Sequence, residues 1–152
     1  MKNNTEIIAD ESEQQMLLDT GYSEKAIFYY TQKPYMGILP DAEHVSEMKG
    51  TCGDTMKIYL KIEQDMIKDA RYQVLGCPGA VASAMAVVDL IKGKSIRHAL
   101  TINDSDVFNT LVDIPAQKHH CIQLAVKTLH KALTDWGKEH TQATISLNMY
   151  IE

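Results

Sequence analysis

Five residues of this chain carry side chains suited to a soft metal or to sulfur chemistry: Cys52, Asp54, Cys77, His120 and Cys121. Three thiols, one imidazole and one carboxylate suit zinc or an iron–sulfur centre better than magnesium or calcium, which take oxygen ligands. No Cys-x-x-Cys pair brings two thiols together locally, and three is an odd number, so neither a zinc ribbon nor a closed disulfide framework is indicated. Any grouping must come from the fold. Taken singly, each cysteine reads more simply as a small buried hydrophobe, and His120 as a surface or capping histidine. His44, His98, His119, His130 and His140 carry no pattern beyond that. A nucleophilic Cys121 with His120 as its base is a competing reading. Adjacent residues on a helix do not face each other, so that pair would have to lie in the loop before the helix.

The elements that must position these residues follow from periodicity. Met56, Ile58, Leu60 and Ile62 alternate with polar residues, and a second run to Leu75 carries Ala70, Tyr72 and Val74 in the same alternation, which predicts a hairpin between Gly50 and Gly79. The midpoint of Cys52 and Cys77 falls between Gln64 and Asp65, so a symmetric hairpin would set the two thiols opposite each other, about 5 Å apart. Asp54 would share the face of Cys52 if the strand reaches back that far. Pro78 suits the first position of a helix that runs through Ala80 to Ile91 and stops at Gly93, which sets Cys77 at a helix N-terminus where the dipole favours thiolate. In the last helix Cys121, Leu124, Ala125, Thr128, Leu129, Ala132, Leu133 and Trp136 follow the 3.6-residue repeat. Gly137 reads as its stop.

The remainder of the chain bounds what these residues can serve. With 152 residues, 45% of them hydrophobic and 23% charged, one domain with a full core is expected. A net charge of −5 argues against nucleic acid as the main partner, and no apolar run approaches the ~20 residues of a membrane span. Residues 1–21 read as a polar, acidic leader without secretory or transit character, so a cytoplasmic location is expected. Ser23 caps a helix closed by Pro34, whose Phe28, Tyr29 and Tyr30 are expected to pack on the sheet. His44 to Lys49 reads as a strand, and Ser95 and Asn103 or Asp104 cap two shorter helices. In the tail, 138–152, the alternation of Ile145, Leu147, Met149 and Ile151 predicts an extra strand, on the sheet edge or against another subunit, which leaves a homodimer open.

Three motifs then carry a resemblance: Cys52-Gly53-Asp54, Gly76-Cys77 followed by Ala80-Val81-Ala82-Ser83, and Lys118-His119-His120-Cys121. In order and spacing they resemble the U-type iron–sulfur cluster scaffolds, IscU and the N-terminal domain of NifU. Tyr22-Ser23-Glu24-Lys25 looks like that family's opening, so the resemblance covers residues 22–137. It implies an α+β fold, a three-stranded antiparallel sheet with helices packed against it. It also implies that Cys52, Cys77 and Cys121 hold a cluster, with Asp54 and His120 as further ligands or exchange groups and Lys118 beside them. Cys121 would accept persulfide sulfur from a cysteine desulfurase, iron would join it, and a transient [2Fe–2S] cluster would pass to apo-proteins. On that reading the chain is a transfer scaffold rather than an enzyme; a zinc-containing sulfurtransferase that relays persulfide is the alternative. Where the family carries Leu-Pro-Pro-Val-Lys for an Hsp70-type chaperone, this chain has Ile114-Pro115-Ala116-Gln117-Lys118, which leaves that docking open.

Overall fold

Alternation and capping build a sheet and a helical layer around a single core. The computed structural model describes the backbone of residues 11–151 and the side chains of residues 11–140. Strands β1 (His44–Lys49), β2 (Thr55–Glu63) and β3 (Met66–Leu75) form one antiparallel sheet in that order. Met56, Ile58, Leu60 and Ile62 turn one face of β2 into the core, as their period-2 spacing requires. The helices are α1 (Glu11–Thr20), α2 (Glu24–Gln32), α3 (Pro78–Ile91), α4 (Ile96–Leu100), α5 (Asp104–Leu111) and α6 (His119–Ile151), with a 3-10 turn at Ala116–Lys118 before α6. The expected α+β class is therefore the observed one.

Helix α3 is apolar on nearly every side, and such a helix must be covered all round. Accordingly β3, α2, α5 and α6 all pack against it. Caps fix where the helices begin. Ser23 Oγ accepts from the Ala26 N–H, and Asn103 and Asp106 form a reciprocal capping box at the start of α5. Tyr29, expected on the sheet, is buried instead against α3, where its hydroxyl donates to Asp89, while Phe28 is half exposed. The reason is layering: α3 contacts both α2 and β3 and takes the place beside α2 that the sheet was expected to fill.

Three further expectations are corrected. Gln64 and Asp65 do form the turn, both with positive φ, but a bulge between Lys61 and Ile62 shifts the register, so that Ile62 faces Ile67 while Lys61 faces Asp69. The ladder ends at Thr55 opposite Leu75, and Cys52 lies in a separate turn closed by the Gly50 N–H donating to the Asp54 carbonyl at 2.7 Å. The symmetric Cys52–Cys77 pair is thus not formed. The tail is not a strand: α6 passes through Gly137 and continues to Ile151. A lone helical glycine costs only about 1 kcal/mol relative to alanine, and Leu129, Leu133, Trp136, His140, Ala143, Leu147 and Tyr150 recur at alternating steps of four and three, so the helical period outlasts the strand-like one. Finally, the second half of the presumed leader is helix α1, which buries Leu17 and accepts the Tyr22 N–H at the Leu17 carbonyl. Residues 1–10 and 152 lie outside the described residues. No helix among the described residues is long and apolar enough to cross a membrane.

Candidate metal centre

Two helix starts and one turn converge on the predicted donors. Cys77 is the N-cap of α3 in extended conformation, with Pro78 at the first helical position and the Ala80 N–H donating to the Cys77 carbonyl. Cys121 stands in the first turn of α6 and is fully buried; Cys77 is half-buried and Cys52 exposed. The Cys77 and Cys121 Sγ atoms are 3.6 Å apart, and Asp54 Oδ2 lies 3.9 Å from the first and 3.8 Å from the second. The thiol pair is therefore Cys77 with Cys121, joined by α3 packing on α6. His120 Nε2 also reaches to 3.6 Å from Cys121 Sγ, so the imidazole approaches its chain neighbour in spite of their helical positions.

All five predicted residues meet as two overlapping groups. Asp54, Cys77 and Cys121 form an inner set, and Cys52, Asp54 and His120 an outer one, the donor atoms of each set lying within 4.8 Å of one another. Asp54 belongs to both. Glycine at position 76 makes room for it, since a Cβ there would sit 2.8 Å from the Asp54 carboxyl group. Gly79 does the same for Lys118, whose Cβ would lie 3.2 Å from a side chain at that position.

The inner thiols hold one proton between them. A hydrogen bond from Cys121 lowers the Cys77 pKa from the ordinary thiol range to about 5, helped by the Ala80 N–H and the Lys118 ammonium, against burial and the Asp54 charge. The same bond, with burial and the charges on Cys77 and Asp54, pushes Cys121 up. Thiolate therefore resides on Cys77, at the positive end of α3, and the proton on Cys121.

Tyr22 is the neighbour that spacing did not reveal. Burial and the negative charge of the Cys77–Cys121 pair raise its pKa to about 12, against the opposing pull of the Gly79 backbone N–H. The phenol thus stays neutral beside the pair. Only the short Tyr22-Ser23-Glu24-Lys25 segment hinted at it, because its approach depends on α2 packing against α3.

The family model for the NifU-like N terminal domain matches residues 21–143. The chain belongs to this family. It is 36% identical over 118 residues to the iron–sulfur cluster assembly scaffold protein IscU of Aquifex aeolicus, covering 76% of this chain and 75% of that one. It is likewise 36% identical to IscU of Escherichia coli K12 over 120 residues, 76% of this chain and 93% of the relative. Among solved structures, this NifU-like chain superposes on FiSufU from Fervidobacterium islandicum AW-1, with a TM-score of 0.62 and 25% identity over 74% of this chain and 96% of the other. The N-terminal NifU-like protein of Brucella abortus, 16% identical with a TM-score of 0.61 over 78% of this chain and 95% of that one, shares the fold.

Proposed function

We propose that this chain is a scaffold on which an iron–sulfur cluster is assembled from iron and persulfide sulfur and from which it passes to acceptor proteins. The observation that carries the reading is the convergence of Cys77, Cys121 and Asp54 within 3.9 Å, with Cys52 and His120 adjoining through the shared Asp54. Two overlapping donor sets favour a two-iron cargo of the [2Fe–2S] type, with Cys52, Asp54, Cys77, His120 and Cys121 as its ligands or exchange groups. Thiolates bind iron firmly, whereas a single carboxylate oxygen among them binds it less so; that mixture suits a cluster that must leave.

Sulfur enters at Cys121 on this reading. A desulfurase persulfide transfers its outer sulfur to an attacking thiolate, one S–S bond breaking as another forms, and the desulfurase cysteine departs as thiolate. Cys121 must first shed its proton, and two acceptors stand 3.6 Å away: the Cys77 thiolate and His120 Nε2. Because Cys121 is fully buried, its exposure to the donor is part of the step. Reduction of the sulfane sulfur to sulfide takes two further electrons from an outside reductant. The partners this chemistry requires are a cysteine desulfurase and apo iron–sulfur acceptors.

The test is anaerobic reconstitution with iron(II), cysteine and a cysteine desulfurase, read as the visible spectrum and the iron and zinc contents of wild type and Cys121→Ser. A sulfide-to-iron charge-transfer spectrum that requires Cys121 is expected. A colourless protein that keeps zinc and carries a persulfide would overturn the scaffold reading in favour of zinc-supported sulfur relay.

A further inference from the structure

A small cavity of about 190 Å³ lies where β1 ends beside the first turns of α6. Lys49 and Thr51 line it from the strand end, and His120, Gln123 and Lys127 from one face of the helix, at spacings of three and four. Every polar side chain among these can donate a hydrogen bond, and none is a carboxylate. Ion pairs among the described residues engage Lys61, Lys92 and Lys131, and neither Lys49 nor Lys127 has an acidic partner there. Two unpaired ammonium groups bordering one concave site concentrate positive potential in a chain whose net charge is −5. The cavity also adjoins chemistry. His120 belongs both to its lining and to the donor set with Cys52 and Asp54, and Thr51 directly precedes the exposed Cys52.

We propose that this cavity is a subsite for the oxyanion group of a small ligand, whose remaining atoms reach the donors at Cys52, Asp54 and His120. Its volume is below the ~300 Å³ at which pockets for drug-sized molecules begin, so the bound group is of few atoms, a carboxylate or a phosphate. Oxyanion binding itself needs no metal; only the use made of the ligand rests on the scaffold reading above.

The metal-free protein tests it through Cys52. Iodoacetate and iodoacetamide alkylate thiolates by the same displacement, but only the first carries a carboxylate, so the ratio of their rates at Cys52, followed by peptide mass spectrometry, cancels any difference in thiolate fraction. Normalised to mercaptoethanol, that ratio should exceed one by about tenfold, saturate with iodoacetate concentration, and fall to one or below in the Lys49→Gln/Lys127→Gln variant. The neighbouring Asp54 and the net negative charge would by themselves repel iodoacetate, so a ratio at or below one in the wild type overturns the proposal. So does an excess that survives removal of both lysines. Competition by acetate alone assigns the subsite to carboxylates, and competition by inorganic phosphate assigns it to phosphates. Cluster formation plays no part in this readout, so its failure and that of the scaffold reading are distinguishable.

Discussion

The inner and outer donor sets share Asp54 and differ in almost everything else. Cys77 and Cys121 are fixed at the starts of two packed helices, one half-buried and the other wholly so, and each strongly perturbs the other's proton. Cys52 sits in the five-residue turn between β1 and β2, outside the sheet and exposed, with Gly53 at positive φ beside it. The contrast teaches that rigid packing tunes a thiol, whereas a turn presents one. A scaffold that must both hold and release its cargo has use for each.

The largest expected effect tests whether the inner set is the anchor. Cys77→Ser or Cys121→Ser should reduce iron retention by more than the ~100-fold that loss of a mere outer partner can cost, measured by metal content after desalting. Equal retention by either variant and by wild type would remove the inner set from the site.

Next is the proton shared by the pair. Because the Cys77 pKa is depressed to about 5, its alkylation by iodoacetamide should stay near plateau at neutral pH and fall to half only as the pH drops to about 5. Cys121→Ala, which leaves no donor at that position, removes the largest cause of that depression, so the midpoint should move up toward the ordinary thiol range near 8.5. Replacing Cys52 with Ala should leave the Cys77 midpoint in place, since Cys52 is not among the causes of its shift. A midpoint that moves with Cys52 instead would dissolve the distinction between the two sets.

Asp54 tests the link between them. Asp54→Ala should slow cluster transfer to an apo-ferredoxin by about tenfold, because the labile oxygen ligand is gone; an unchanged rate would deny Asp54 that role. The smallest effect is steric. In Gly76→Ala the new Cβ meets the Asp54 carboxyl at 2.8 Å, and because that side-chain end can swing aside, thermal unfolding should show a loss of no more than about 1 kcal/mol, with weaker iron binding as the carboxylate is displaced.

Much of the fold was legible because it depends on short-range chemistry. The period-2 runs of β2 and β3, the caps at Ser23, Ser95 and Asn103, and Pro78 opening α3 all appear where side-chain pattern and backbone preference require them. The identity of the five donors was legible too, since few residue types bind soft metals. Their pairing was not. A one-residue bulge near Lys61 was enough to undo the symmetric Cys52–Cys77 match, and periodicity cannot register a single unpaired residue. The tail misled for a related reason: Ile145, Leu147, Met149 and Ile151 satisfy a strand period, while α6 was already propagating through a tolerable Gly137.

The sequence by itself determined the α+β elements, the donor residues and the placement of Cys77 and Cys121 at helix starts, because propensity, capping and ligand chemistry act within a few residues. Only the tertiary structure decided that Cys77 pairs with Cys121, that Asp54 bridges two donor sets and that Tyr22 stands beside them. Those contacts arise where α3, α6 and the turn before β2 pack together, and distances across packed elements are set by the volumes and registers of everything between them.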